Sequence, residues 1–127
     1  MKPLVGKHLA RAEELLLVAR ENLANNHPAD SISRSYYAMF HAATGVLAEL
    51  GIERSSHHGV WAAFGQFVTA RKLIDVRYHR EGIDALLARE DSDYEPMPDD
   101  TREDAEDSLA TAKEFVAACR TFLESQP

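Results

Sequence analysis

The chain has 127 residues, of which 45% are hydrophobic and 28% charged, with one cysteine and a net charge of −7. A chain of this length can bury an adequate apolar core without disulfides or a structural metal, and no apolar run reaches the ~20 residues that a membrane span requires. Residues 1–80 carry ten basic and seven acidic side chains and all six histidines, whereas residues 81–127 carry four basic and fourteen acidic side chains. This distribution excludes a broad basic surface for nucleic acid but allows a local cationic site in the first 80 residues. We expect one domain over residues 1–127, located in the cytoplasm and without membrane contact.

Apolar residues at helical spacing dominate the sequence, and no segment alternates as a strand would. The first predicted helix runs from about Pro3 to Asn25, and its apolar stripe has spacings of 4, 3, 4, 3 and 4. That stripe comprises Val5, Leu9, Ala12, Leu16, Ala19 and Leu23. The second predicted helix begins at Pro28 and ends at Gly51, a residue typical of helix C-termini. Its inward residues are Ile32, Tyr36, Phe40, Ala43, Leu47 and Leu50.

The remaining predicted helices are marked by caps and by shorter apolar stripes. Ser55 or Ser56 can cap a third helix, which carries the aromatic part of the core. A fourth helix covers about Val76 to Arg89 and is followed by a polar loop over 91–100. Its inward residues are Ile83, Leu86 and Leu87.

Thr101 and Asp104 resemble a capping box at the start of the fifth predicted helix. Its stripe repeats the 4, 3, 4, 3, 4 spacing through Ala105, Leu109, Ala112, Val116, Cys119 and Leu123. Helices of these lengths with short connections predict an all-α fold. We expect an antiparallel up-and-down bundle of four main helices plus a short accessory helix.

The second predicted helix has another face, formed by Arg34, Ala38, His41 and Gly45. At about 100° per residue these four lie within roughly 60° of one another. The two small residues allow another backbone to approach, which could belong to an adjacent helix, a second subunit or a ligand. Arginine offers a planar fork of donors to phosphate oxygens, and histidine can transfer a proton near neutral pH. The pair therefore suits phosphodiester chemistry. The structural alternative is a salt-bridged Arg34 and a His41 satisfied by a backbone carbonyl.

Three segments carry a resemblance to a known family. They are "SRSYYAMFHAA" at 33–43, "SHHGV" at 56–60, and Arg89 followed by "SDY" at 92–94. On these residues the chain resembles the HEPN domain superfamily over nearly its whole length. The resemblance implies a helical bundle that forms a homodimer. In many members it also implies a metal-independent endoribonuclease with an Arg-x4-6-His motif, which corresponds to Arg34 and His41 here.

The resemblance also implies partners and further site residues. RNA is the expected substrate, DNA is not, and neither a metal nor another cofactor is expected. A minimal nucleotidyltransferase antitoxin is an expected partner, and Ser35, Tyr37 and His57 are expected to bind substrate. The chain departs from the family twice. Ser35 follows the arginine where nucleases of the family often have Asn, Asp or His, and Ala43 replaces the tyrosine that is nucleotidylated in one toxin group.

Two hypotheses about function follow from these residues. In the first, His41 acts as acid or base and Arg34 stabilises the transition state while the RNA 2′-hydroxyl attacks the adjacent phosphate. One histidine per chain cannot easily serve both proton transfers, so a two-fold dimer that joins two such pairs is expected. In the second, the same face belongs to a non-catalytic module that binds a nucleotide or a nucleotidyltransferase partner.

Overall fold

The computed structural model describes all 127 residues, and every regular element in it is helical. The helices are α1 (Pro3–Ala24), α2 (Pro28–Glu49), α3 (His57–Phe64), α4 (Arg77–Tyr94) and α5 (Arg102–Glu124), and a π-helical turn over Gly65–Thr69 continues α3. The four long helices form the predicted antiparallel bundle, and α3 is the short accessory helix. This confirms the expected fold class. None of the helices is both long and apolar enough to cross a membrane.

The break between α1 and α2 and the end of α2 follow from local backbone chemistry. Asn26, just after α1, adopts a positive φ of 66°, and Pro28 opens α2. At the far end of α2, Gly51 has φ 75°, a conformation that favours glycine. There the Ile52 N–H donates to the Leu47 carbonyl at 2.9 Å and the Gly51 N–H to the Ala48 carbonyl at 3.0 Å. This Schellman pattern ends the helix where the sequence predicts.

Side-chain caps begin α3 and α5. The Ser56 Oγ accepts a hydrogen bond from the Gly59 N–H at 2.9 Å. At α5 the Thr101 Oγ1 accepts from the Asp104 N–H at 3.1 Å, and the Asp104 carboxylate accepts from the Thr101 N–H at 2.9 Å. Both caps satisfy backbone donors that a helix start leaves free, and both confirm predictions.

Helix α2 lies at the centre of the bundle and packs against each of the other four helices. Twelve of its residues are buried. Beside it, the rings of Trp61, Phe64 and Phe115 form an aromatic core with centroids 5.5–5.8 Å apart. Because α2 is covered on most sides, any part of it that remains open to solvent is confined to a narrow strip.

Helix α4 is longer than the sequence predicts. It continues past Arg89 to Tyr94, so the predicted loop at 91–100 begins only at Glu95. The Arg89 guanidinium pairs with the Asp93 carboxylate at 3.1 Å, and the buried Ser92 Oγ donates to the Asp100 carboxylate at 2.6 Å. These contacts stabilise the last turn of α4, which is composed of polar residues.

One predicted core position is wrong. Leu87 is expected to face inward but is 52% exposed, because α4 is covered on one side only and Leu86 takes the buried position. In α1 the predicted Leu16 is half-buried against the core, and Leu15, which the stripe does not include, is fully buried. The helix contacts both α2 and α5, so its buried surface is wider than a single stripe and shifts around the axis.

Candidate active site on the open face of helix 2

The small residues of α2 serve the packing of α1. Ala38 and Gly45 are both buried. A Cβ added at Gly45 would lie 3.2 Å from the His8 Cβ and 3.6 Å from the Val5 carbonyl oxygen. Of the three partners that the sequence allowed for this surface, the structure therefore places an adjacent helix of the same chain against it.

One line of side chains on α2 remains open to solvent. It consists of Arg34, Tyr37, His41 and Thr44, which lie within about 80° of rotation and are called the open face here. Arg34 is exposed and forms no ion pair or hydrogen bond within the chain, whereas the other three are half-buried. Arg34 and His41 are separated by about 10.5 Å along the axis, a gap that the long arginine side chain can shorten.

His41 contacts a second histidine, His8 of α1, which sequence reasoning did not select. The two Nδ1 atoms are 3.1 Å apart, and the ring centroids are 5.4 Å apart. The His41 Nε2 has no hydrogen-bond partner in the chain and is not among the polar atoms that are sealed from solvent. The histidines are 33 residues apart, and no local pattern in the sequence signals this pairing.

Both histidines are biased toward the neutral form. Burial lowers the pKa of His41 below its ordinary value of 6.5, and the neighbouring His8 and Arg11 lower it further. Burial also lowers the pKa of His8. Near pH 7 the His41 imidazole is therefore mostly unprotonated and able to accept a proton.

His57 lies on the α3 side of the open face and is held through a buried hydrogen-bond chain. The Trp61 Nε1–H donates to the Tyr36 hydroxyl at 3.1 Å, and that hydroxyl lies 2.6 Å from the His57 Nδ1. Burial raises the pKa of Tyr36 to about 12, so the hydroxyl keeps its proton and donates it to His57. His57, whose pKa is lowered mainly by burial, is therefore neutral and carries its own proton on Nε2.

Aromatic contacts connect His57 with the open face. The His57 ring stacks on Phe40 at 4.2 Å, and Phe40 meets His41 edge to face at 6.0 Å. Tyr37 meets His57 edge-on at 5.8 Å, and the Arg89 guanidinium covers Tyr37 at 5.5 Å from its ring centre. His57 thus lies beside Tyr37, the Phe40 ring separates it from His41, and Arg34 lies one turn before Tyr37 on α2.

Ser35 does not join this group. It is only 1% exposed, and its Oγ has no hydrogen-bond partner. It lines a gap between α2, α4 and α5 beside Glu81 and Asp107, rather than the open face. One residue further along a helix turns a side chain by about 100°, which explains why neighbouring Arg34 and Ser35 face different surroundings.

A groove of about 680 Å³ adjoins the open face at His8 and Thr44. Leu4 and Arg54 also line it, and Arg54 forms no ion pair. The Arg54 Nη1 donates to the Glu53 carbonyl at 2.7 Å, so of Arg34 and Arg54 only Arg34 has a side chain without a partner. No three His, Cys, Asp or Glu side chains are arranged to hold a metal ion.

The lowered histidine pKa values predict how stability depends on pH. Between the folded and unfolded pKa values the unfolded chain binds more protons, so the free energy of unfolding should fall as the pH drops through 6.5. Urea unfolding at pH 7.5 and 5.5 should therefore give a lower midpoint at pH 5.5. A His8→Asn variant should show a smaller difference between the two pH values. An unchanged or higher midpoint at pH 5.5 would contradict the neutral state of His8, His41 and His57.

The fold and site define a helical-bundle protein whose central helix presents an arginine and a histidine on one solvent-open face. The HEPN domain family matches residues 5–122, and the chain belongs to this family. A UPF0332 protein of Gloeobacter violaceus is 36% identical, over 89% of this chain and 90% of the relative. A protein of Methanocaldococcus jannaschii with the name "Putative toxin MJ0605" is 30% identical over 98% of both chains. A UPF0332 protein of Thermotoga maritima is 30% identical, over 90% of this chain and 86% of the relative.

Proposed function

We propose that this HEPN protein is a metal-independent endoribonuclease of the toxin type, with His41 and Arg34 as its catalytic residues. One observation carries the proposal. The Nε2 of His41, which has no partner and is not sealed from solvent, lies on the same open helix face as Arg34, whose side chain also has no partner in the chain. Burial favours the neutral form of His41. In the structural alternative Arg34 would be locked in an ion pair and His41 bound to a carbonyl, and neither contact is present.

The chemistry assigns one task to each side chain. His41 Nε2 removes the proton of the RNA 2′-hydroxyl, whose oxygen then attacks the adjacent phosphorus. Arg34 binds two phosphate oxygens and stabilises the negative charge that builds up on them. The bond to the 5′-oxygen breaks, and that oxygen takes up a proton. The products are a 2′,3′-cyclic phosphate and a free 5′-hydroxyl.

The surroundings of the pair favour a flexible, single-stranded RNA. Tyr37 and the edge of His57 offer half-exposed aromatic surface on which a base can stack. The groove beside His8, with Arg54 at its wall, provides room and positive charge for the neighbouring phosphate. DNA lacks the attacking 2′-hydroxyl and should be neither cleaved nor required.

A homodimer is part of the proposal, because the departing 5′-oxygen needs a proton donor of its own. Two copies related by a two-fold axis would bring a second His41 to the same cleft, and this second His41, in its protonated form, would donate from Nε2 while the first accepts. Mixing the wild-type protein with a His41→Ala protein tests this arrangement. If one His41 of each dimer accepts a proton and the other donates one, a mixed dimer lacks one of the two groups, and cleavage should fall below the share of wild-type protomers in the mixture.

The toxin assignment rests on the resemblance and on the name of the Methanocaldococcus relative. A toxin that cleaves RNA must be restrained in its own cell. We propose a minimal nucleotidyltransferase as the antitoxin. Expression of this chain alone should arrest growth, and co-expression with such a partner should restore it.

Arginine substitutions test the proposed reaction directly. Purified protein in EDTA should cleave single-stranded RNA and leave 2′,3′-cyclic ends. Arg34→Ala should lower kcat/KM by about 100-fold or more, as expected for loss of one donor group to a developing oxyanion. The kcat/KM of Arg34→Lys should lie between those of the Arg34→Ala and wild-type proteins, because lysine keeps the positive charge but lacks the planar fork of donors.

The matched control is Arg80→Ala, which removes an exposed α4 arginine without ion-pair partners. It should cleave at the wild-type rate. Equal activity of the Arg34→Ala and wild-type proteins would overturn the assignment of Arg34. Absence of any cleavage by the wild-type protein would leave the non-catalytic module as the better description.

A further inference from the structure

The proposed reaction assigns no role to the contact between His8 and His41. The geometry of this contact is specific, with the two Nδ1 atoms 3.1 Å apart and the rings inclined by 32°. Gly45 permits the close helix approach at this level, because a Cβ at that position would lie 3.2 Å from the His8 Cβ.

A hydrogen bond between two Nδ1 atoms restricts both rings. A neutral imidazole carries one N–H, so one ring must donate through Nδ1 and the other must accept. If His41 is the donor, its Nε2 carries a free lone pair and can act as a base. If His41 is the acceptor, its proton sits on Nε2 and blocks that role.

We propose that His8 is a positioning residue for His41, holding it in the tautomer that is protonated at Nδ1 and presents a basic Nε2 to the RNA. This inference rests on the proposed function. When Nε2 takes the proton of the 2′-hydroxyl, the electron pair of that O–H bond remains on oxygen and forms the new bond to phosphorus. His41 then carries a positive charge, and its Nδ1–H still donates to His8. A hydrogen bond from a charged donor is stronger than one from a neutral donor, so the contact strengthens as the proton moves.

No other neighbour of His41 can take this role. Facing His41 from α1 are His8 and Arg11, and Arg11 pairs with Glu14 at 3.2 Å. On α2 itself Tyr37 and Thr44 are nearest along the open face, and the Thr44 hydroxyl donates to the Phe40 carbonyl at 2.8 Å. His57 of α3 lies on the other side of the Phe40 ring. Arginine has no acceptor, and neither Tyr37 nor His57 bonds to His41.

The pair also holds only one additional proton. Two protonated rings would direct two N–H groups at each other across 3.1 Å. The lowered pKa values of both histidines agree with this restriction. The pair can therefore hold the one proton that His41 accepts in each turnover.

The test combines the tautomer of His41 with kinetics. Long-range ¹H–¹⁵N correlation spectra of the wild-type protein should show His41 protonated at Nδ1. His8→Leu should shift it toward the Nε2–H form and lower kcat by about 10- to 100-fold, the expected effect of losing a charge-assisted hydrogen bond. KM should change little. His8→Asn, which can return an acceptor oxygen near the Nδ1 position, should recover most of kcat.

The histidine control is His27→Ala, at an exposed position without a side-chain cap bond, which should leave kcat unchanged. A wild-type His41 protonated at Nε2 would overturn the proposal, even if His8→Leu fails to fold. So would an unchanged kcat in folded His8→Leu. If the wild-type protein cleaves no RNA, the proposed function fails and the catalytic role of His8 fails with it. If it cleaves RNA but His41 has the Nε2–H form, only the role of His8 is lost.

Discussion

Replacement of His41 by alanine should lower RNA cleavage by about 100-fold to 10,000-fold, the usual contribution of a general acid or base. The substitution removes the unpartnered Nε2, while Arg34 and the groove beside His8 remain available to bind phosphate. The loss should therefore fall mainly on kcat, with a smaller effect on RNA affinity. Cleavage of a short labelled RNA in EDTA, measured under single-turnover conditions at several protein concentrations, separates the effect on the chemical step from the effect on RNA affinity.

The fold should survive this substitution. His41 is half-buried and lies at the margin of the α1–α2 contact, outside the main apolar cluster. The helical circular dichroism of His41→Ala should match that of the wild-type protein. His27→Ala, as the matched loss of an exposed histidine, should retain full activity. Equal cleavage rates of His41→Ala and the wild-type protein would remove His41 from the mechanism.

The same substitution at two glycines should have opposite effects on stability. Gly82 of α4 is buried against the fully buried indole of Trp61. A Cβ at Gly82 would lie 2.2 Å from the nearest indole atom, a separation that atoms cannot adopt without movement of α3 or α4. Gly82→Ala should cost about 3 kcal/mol of unfolding free energy, typical of an overfilled core, and lower Tm by roughly 10 °C.

Gly6→Ala is the matched control within α1. A Cβ there meets nothing closer than the Met1 Sδ at 3.9 Å. Alanine also favours a helix over glycine, so this variant should gain about 0.5–1 kcal/mol. Thermal unfolding of both variants measures the contrast. A Gly82→Ala protein that melts within 2 °C of the wild type would show that the α3–α4 contact yields more easily than the geometry indicates.

The Gly82 contact also matters for the site, because the indole of Trp61 donates to Tyr36, which in turn holds His57. A partly folded Gly82→Ala protein should therefore lose the ordered orientation of His57 before it loses helix content. The downfield Nε1–H signal of the single tryptophan reports this change directly.

Several features were predictable from sequence because they depend on neighbouring residues only. The helix ends at Gly51, Ser56 and Thr101 arise from backbone groups that the adjacent side chain or backbone can satisfy. The common face of Arg34 and His41 follows from helical periodicity alone. The all-α bundle follows from the same periodicity repeated along the chain.

Other features could not be predicted because they depend on how the helices meet. Leu87 was misassigned and the buried Leu15 was missed, since helical spacing identifies an apolar side but not how widely the neighbours cover it. The last turn of α4 is held by the Ser92–Asp100 contact, which needs the return of the chain from the loop. Ser35 turned out to face α4 and α5, although it adjoins Arg34 in the sequence.

For this protein, the sequence by itself determined the helices, their order and the shared face of Arg34 and His41, because each of these arises within one helix. Only the tertiary structure decided what surrounds that face. His8 reaches His41 from a helix that starts 25 residues before Pro28, at a register where Gly45 lets α1 approach α2 closely. Such a register depends on the packing of two helices against each other, and no local sequence pattern encodes it.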